Sequence, residues 1–117
     1  MKKNKKLVSI IIRTKNEERW ITSCLKNINK QTYKNYEIII VDNFSDDKTV
    51  EKAKQFKISK VIKIKKFLPG KAINLGIKNS KGDYIVILSA HAIPTNNKWL
   101  ENFVSAIEED KKFAGVY

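Results

Sequence analysis

The chain has 117 residues, a single cysteine and a net charge of +12, with 42% hydrophobic and 31% charged residues. That length supports one domain with a modest core, and the balance excludes both a disordered chain and a membrane-embedded bundle. The lone Cys24 excludes an internal disulfide and a cysteine-based zinc cluster.

The start, Met1-Lys2-Lys3-Asn4-Lys5-Lys6, has the charge of a signal-peptide n-region, but Arg13 and Lys15 break the apolar stretch behind it. A first strand is expected over Leu7 to Arg13, a β-branched run of the kind buried on both faces. From Glu17 to about Asn29, apolar residues recur at Trp20, Ile21, Cys24, Leu25 and Ile28, the spacing of a helix with one buried stripe. Tyr36 to Val41 reads as a second strand, and Asp42-Asn43-Phe44-Ser45 as the turn after it. Ser45 is suited to cap a helix opening at Asp46 and Asp47, with Val50, Ala53 and Phe56 inward.

Lys60 to Ile64 is a short, lysine-interrupted third strand. Pro69-Gly70 opens a helix with Ala72, Ile73, Gly76 and Ile77 on one side, and Asn79-Ser80-Lys81-Gly82-Asp83 is a turn. Tyr84 to Leu88 is the fourth strand. After Pro94, a helix capped near Thr95 or Asn96 carries Trp99, Leu100, Phe103, Val104 and Ile107 at core spacing, and Phe113 to Tyr117 resembles the start of a further strand. Such alternation predicts an α/β fold: a Rossmann-like, open, mostly parallel sheet with helices on both faces. No apolar run approaches the roughly 20 residues of a spanning helix.

In an open parallel sheet, ligands bind beyond the carboxyl ends of the strands. The residues to weigh are therefore Arg13 to Glu18, Asp42 to Asp47 and Ser89 to Pro94, three polar segments that topology brings to one rim. They predict a polar small-molecule site for something anionic or heterocyclic. Each residue has a plainer alternative. Asp42 suits a turn, Glu17 and Glu18 suit a helix N-terminus, and His91 suits a hydrogen-bonded loop. No glycine-rich dinucleotide fingerprint, P-loop or nucleophile elbow is present.

Taken in order, these segments resemble family 2 glycosyltransferases of the GT-A fold. The similarity is carried by Val8 to Glu17, by Gln31 to Thr49 with its Ile40-Val41-Asp42-Asn43 core, by Gly70 to Ile77 and by Lys81 to Leu88. The resemblance implies that the chain is the nucleotide-sugar-binding half of such a domain over residues 1–117, incomplete at its C-terminus. The carboxylate that activates the acceptor in inverting members would then lie beyond Tyr117. It implies a nucleotide-sugar donor cradled by Thr14, Asn16, Glu17 and Asp42, with Lys71, Asn74 and Ser89 close by. A carboxylate such as Asp42 can accept the imide N–H of uracil or thymine, which favours a UDP- or dTDP-sugar. Many relatives keep a basic residue directly before the asparagine that matches Asn74; here it is Ile73, and whether Lys71 replaces it stays open.

The family's fourth strand typically ends in an Asp-x-Asp pair that holds Mn²⁺ or Mg²⁺ against the diphosphate. The matching triplet here is Ser89-Ala90-His91, which leaves His91 as the candidate ligand of a divalent cation. The expected acceptor is a surface polysaccharide or lipid-linked glycan, and the alternative is a catalytically inactive nucleotide-binding module. The charge of +12 admits solvated lysine faces, an anionic membrane surface or nucleic acid. No nucleic-acid recognition motif supports the last. A cytoplasmic location is expected, with peripheral association at the inner membrane face left open, as is oligomeric state.

Overall fold

The central strand β1, Val8–Thr14, pairs in parallel with β2, Tyr36–Asp42, on one side and with β4, Tyr84–Ser89, on the other. The computed structural model describes residues 5–65, 69–91 and 96–109. Strand β3, Lys60–Lys63, adds to the outer edge of β2, giving the order β3-β2-β1-β4 with every pairing parallel. Between the strands run α1 (Glu18–Asn29), α2 (Thr49–Ala53) and α3 (Pro69–Lys78), with α4 (Trp99–Glu109) last. The Rossmann-like α/β sheet is as the alternation predicts. The segment Phe113 to Tyr117 and the cap candidate Thr95 lie outside the described residues.

Alternation along β1 divides the core. Val8, Ile10 and Ile12 pack on one face with Ile21, Cys24, Leu25 and Ile28 of α1, Ala53 of α2, and Leu100, Phe103 and Val104 of α4. Ile11 packs on the other face with Ile39, Val41, Ile64 and Ala72 of α3. Helices therefore cover both faces. Two expected core positions, Trp20 and Ile77, are exposed, and Leu75 rather than Ile77 turns α3 toward the sheet.

The strands begin on a buried polar tie. Ser9, fully enclosed, donates from Oγ to Glu37 Oε2 at 2.5 Å and accepts from the Gly82 amide at 2.8 Å. Glu37 Oε2 also accepts the Lys81 amide at 2.7 Å. At the far side of α1, the buried Gln31 accepts the Leu100 amide at 3.0 Å and so caps α4, while Asn96 Oδ1 accepts the Lys98 amide at 2.8 Å.

Burial pushes the Cys24 thiol up to about 11. A raised thiol pKa means that the unfolded chain loses this proton first as pH rises. Cys24 should thus leave stability untouched at neutral pH and erode it progressively between about pH 9 and pH 11. Urea denaturation across that range should show the decline, and Cys24→Ala should flatten it.

Candidate functional site

Strands β1, β2 and β4 each run one residue further than their apolar runs suggest, to Thr14, Asp42 and Ser89. Register sets Thr14 beside Asp42 and Arg13 beside Ser89. These residues are consequently strand-terminal, held by the sheet ladder at the rim where ligands of parallel sheets bind.

Asp42 is nearly enclosed, at 1% exposure. Its Oδ1 accepts from the Thr14 hydroxyl at 2.5 Å and the Ser45 hydroxyl at 2.6 Å, and its Oδ2 accepts from the Ser45 amide at 2.8 Å. A carboxylate has about four acceptor positions, so three of them are filled from within the protein. Asp42 fastens Thr14 and the β2–α2 loop from beneath.

The two loops are then laced together. The Asn16 amide donates to Ser45 Oγ at 2.9 Å, and Asn16 Oδ1 accepts the Asp46 amide at 2.7 Å. Lys15 Nζ donates to the Phe44 carbonyl at 3.1 Å, and the Glu17 amide donates to Thr49 Oγ1 at 2.8 Å. Asn16 and Phe44 both sit at positive φ, 53° and 44°. Asparagine tolerates that region, whereas an exposed phenylalanine there is strained.

Ser45 is spent on Asp42 and Asn16, so it does not cap the next helix, and α2 starts at Thr49 rather than Asp46. Asp47 takes the capping role. Its carboxylate accepts the Thr49 amide at 3.0 Å and the Glu18 amide at 3.2 Å, serving the first turns of both α1 and α2, and bonds the Thr49 hydroxyl as well. Partial burial acts to raise the Asp47 pKa, but the bonds from Thr49 and Glu18 outweigh it and hold the carboxyl below its usual range.

Between the ends of β1 and β4 opens a cleft of about 290 Å³, lined by Arg13, Thr14, Lys15, Glu17 and Ser89. The chain steps outward from β1 through β2 to β3 and then returns to the opposite side of β1 as β4. The cleft therefore lies at the topological switch point, where open α/β sheets bind ligands. At its rim, Glu17 Oε1 bonds His91 Nε2, and the Trp20 ring lies 5.7 Å from the His91 ring, tilted 56°.

Of the residues singled out in the sequence, Thr14, Glu17 and Ser89 line the cleft, His91 joins them through Glu17, and Asn16 and Asp42 brace it from outside. Lys71 and Asn74 are exposed on α3 and do not line it. The other two lining residues, Arg13 and Lys15, fall within the Arg13 to Glu18 segment that the strand-end rule singles out, although the sequence assigns neither an individual role.

A divalent cation needs several hard oxygen donors. Among the described residues around the cleft, the set is the Thr14 and Ser89 hydroxyls, the His91 imidazole and one carboxylate, Glu17, that already bonds His91; Ala90 is buried and has no donor on its side chain. Among the described residues, no three His, Cys, Asp or Glu side chains converge. This set does not fit a hard-cation site.

The family model for "Glycosyl transferase family 2" matches residues 9–116. The chain belongs to this family. A curated member from Methanococcus voltae is 40% identical over 93% of the chain; it is named dolichyl N-acetyl-alpha-D-glucosaminyl phosphate 3-beta-D-2,3-diacetamido-2,3-dideoxy-beta-D-glucuronosyltransferase. The chain spans 37% of that protein's length, and a similar share of two further family relatives.

Among solved structures, S. aureus TarS 1-349 in complex with UDP-GlcNAc superposes with a TM-score of 0.78 at 25% identity, over 89% of this chain and 32% of the TarS 1-349 chain. The mannosyltransferase PcManGT from Pyrobaculum calidifontis, in complex with GDP-Man and Mn²⁺, gives a TM-score of 0.79 at 26% identity, over 86% of this chain and 32% of its own. The sheet is thus of the GT-A type that the sequence resemblance implies.

Proposed function

We propose that this family 2 chain is the donor-binding half of a glycosyltransferase and that the cleft between β1 and β4 receives a nucleotide sugar. The observation that carries the reading is the position of the cleft at the switch point, walled by Arg13, Thr14, Lys15, Glu17 and Ser89. A polar, cationic wall of this kind suits a diphosphate flanked by two hydroxyl-rich groups.

A UDP-sugar or dTDP-sugar is the favoured donor, and the likeness to a TarS complex with UDP-GlcNAc supports it. Asp42 contributes by fixing Thr14 and Ser45; direct contact with a pyrimidine imide N–H requires Ser45 to release it. The acceptor is a surface or lipid-linked glycan, a reading supported by the dolichyl-phosphate glycan named for the Methanococcus voltae relative. An acceptor hydroxyl attacks the anomeric carbon as its bond to the diphosphate breaks, and the hydroxyl's proton goes to a base supplied by sequence outside these 117 residues.

His91 and Glu17 are the residues that would contact a divalent cation if one entered with the donor, but their set does not build a site for it, and no step is assigned to one. A location on the cytoplasmic face of a membrane accords with the charge of +12; no helix among the described residues is long and apolar enough to cross one.

Calorimetric titration with UDP, dTDP and GDP tests the reading. UDP or dTDP should bind at least about tenfold more tightly than GDP. Failure of all three to bind would favour a module without donor-site function, and preference for GDP would overturn the pyrimidine assignment.

A further inference from the structure

We infer that Arg13 and Lys15 supply the counter-charge for the donor's diphosphate, so that donor binding needs no divalent cation. The inference rests on the reading of the cleft as the donor site.

Arg13 enters the cleft from the last turn of the β1 ladder, beside Ser89 of β4. Its Nε–H is buried and has no acceptor among the described residues. An unpaired buried donor on a charged group is costly, and the usual remedy is an acceptor supplied from outside. Guanidinium groups match phosphate oxygens with two parallel bonds, which makes arginine the residue type for a planar diphosphate grip. Lys15, two residues before Glu17 on the same wall, spends one of its three donors on the Phe44 carbonyl and keeps the others for a ligand.

Charge decides between this arrangement and a metal bridge. A metal-bridged diphosphate site needs one or two free carboxylates from the protein beside the phosphate oxygens, because hard cations take oxygen ligands. The wall here has two cations against one carboxylate, and that carboxylate, Glu17, is engaged by His91. Its field attracts an anion directly and disfavours entry of Mn²⁺ or Mg²⁺. The Asp-x-Asp pair is missing from the end of β4 at the same place where Arg13 and Ser89 stand side by side.

The test compares uridine with UDP, each titrated into the chain in EDTA and in Mn²⁺, followed by calorimetry or NMR. The difference between the two ligands isolates the diphosphate. In EDTA, UDP should bind at least about tenfold more tightly than uridine, and Mn²⁺ should change that ratio by less than about threefold. Arg13→Met should remove most of the UDP advantage and leave uridine binding in place. Lys15→Ala, at an exposed position whose loss should not impair folding, should reduce the advantage severalfold and so keeps the test open if Arg13→Met does not fold.

A UDP advantage that appears only with Mn²⁺, or that survives both substitutions, would overturn the inference while leaving the donor site standing. Absence of binding by both ligands would overturn the donor-site reading, and the inference with it.

Discussion

Asp42→Ala should lower stability by about 3 kcal/mol and abolish nucleotide binding together. The side chain is 1% exposed and accepts three hydrogen bonds, from the Thr14 hydroxyl and from the hydroxyl and amide of Ser45. Alanine would strand all three donors at a site that water scarcely reaches, and each such loss costs about 1–3 kcal/mol, with overlap between them. In a domain of this size, 3 kcal/mol corresponds to a melting temperature lower by about 10 °C.

The binding loss follows from the same bonds. Thr14 lines the cleft, and Ser45 holds Asn16, so both loops at the mouth are released at once. Asp42→Asn separates charge from shape. Its carbonyl oxygen can keep the Thr14 and Ser45 hydroxyls, but its amide nitrogen cannot accept the Ser45 N–H, so an intermediate loss is expected. Thermal denaturation followed by circular dichroism, with a UDP titration on each variant, reads both effects. An unchanged melting temperature for Asp42→Ala would contradict this assignment.

Gly82→Ala should be comparably damaging, though it lies at the opposite end of the sheet. A Cβ on Gly82 would stand 2.3 Å from Ser9 Oγ, 2.6 Å from the Ser9 amide nitrogen and 2.9 Å from the Tyr84 carbonyl oxygen. Two of those atoms are backbone in strand ladders and have nowhere to move. The third belongs to the buried hydroxyl that ties Gly82 and Glu37 together. Overpacking of this sort costs about 1–3 kcal/mol, and loss of the Ser9 tie places the expected value near the upper end. A urea titration should show a lower midpoint with an unchanged slope. Nucleotide affinity measured well below the transition should stay within about twofold of the parent, because the cleft is at the other ends of the strands.

Much of this architecture is legible in the residues. Continuous β-branched runs place the strands, which the sheet buries on both faces, and period-3.6 stripes place the helices, each buried along one face, as with Ile21, Cys24, Leu25 and Ile28. Where the pattern misleads, a polar competitor or geometry explains it. Ser45 looks like a helix cap, but Asp42 sits three residues earlier and takes its hydroxyl and amide, so Asp47 inherits the cap and α2 shortens. Trp20 falls in the helical stripe yet stands at its edge, where it meets His91 instead of the core.

The site itself was only partly legible. The rule that ligands gather at the carboxyl ends of parallel strands singles out segments that contain all five lining residues, Arg13, Thr14, Lys15, Glu17 and Ser89. It does not distinguish a residue that lines a cleft from one that braces it, which is the difference between Thr14 and Asp42. That distinction depends on which hydrogen bonds the protein has already made. Arg13 falls within the segment the rule singles out, but its charge also suits the end of a strand, and only the register with Ser89 shows what stands beside it.

The most direct test of the donor cleft is amide chemical-shift mapping of the ¹⁵N-labelled chain with UDP. Saturable shifts should cluster at Thr14, Lys15, Glu17 and Ser89, while Glu37, Gly82 and Tyr84 at the opposite ends of the strands stay unchanged. Shifts confined to that opposite end, or no shift at millimolar UDP, would contradict a nucleotide-sugar site between β1 and β4.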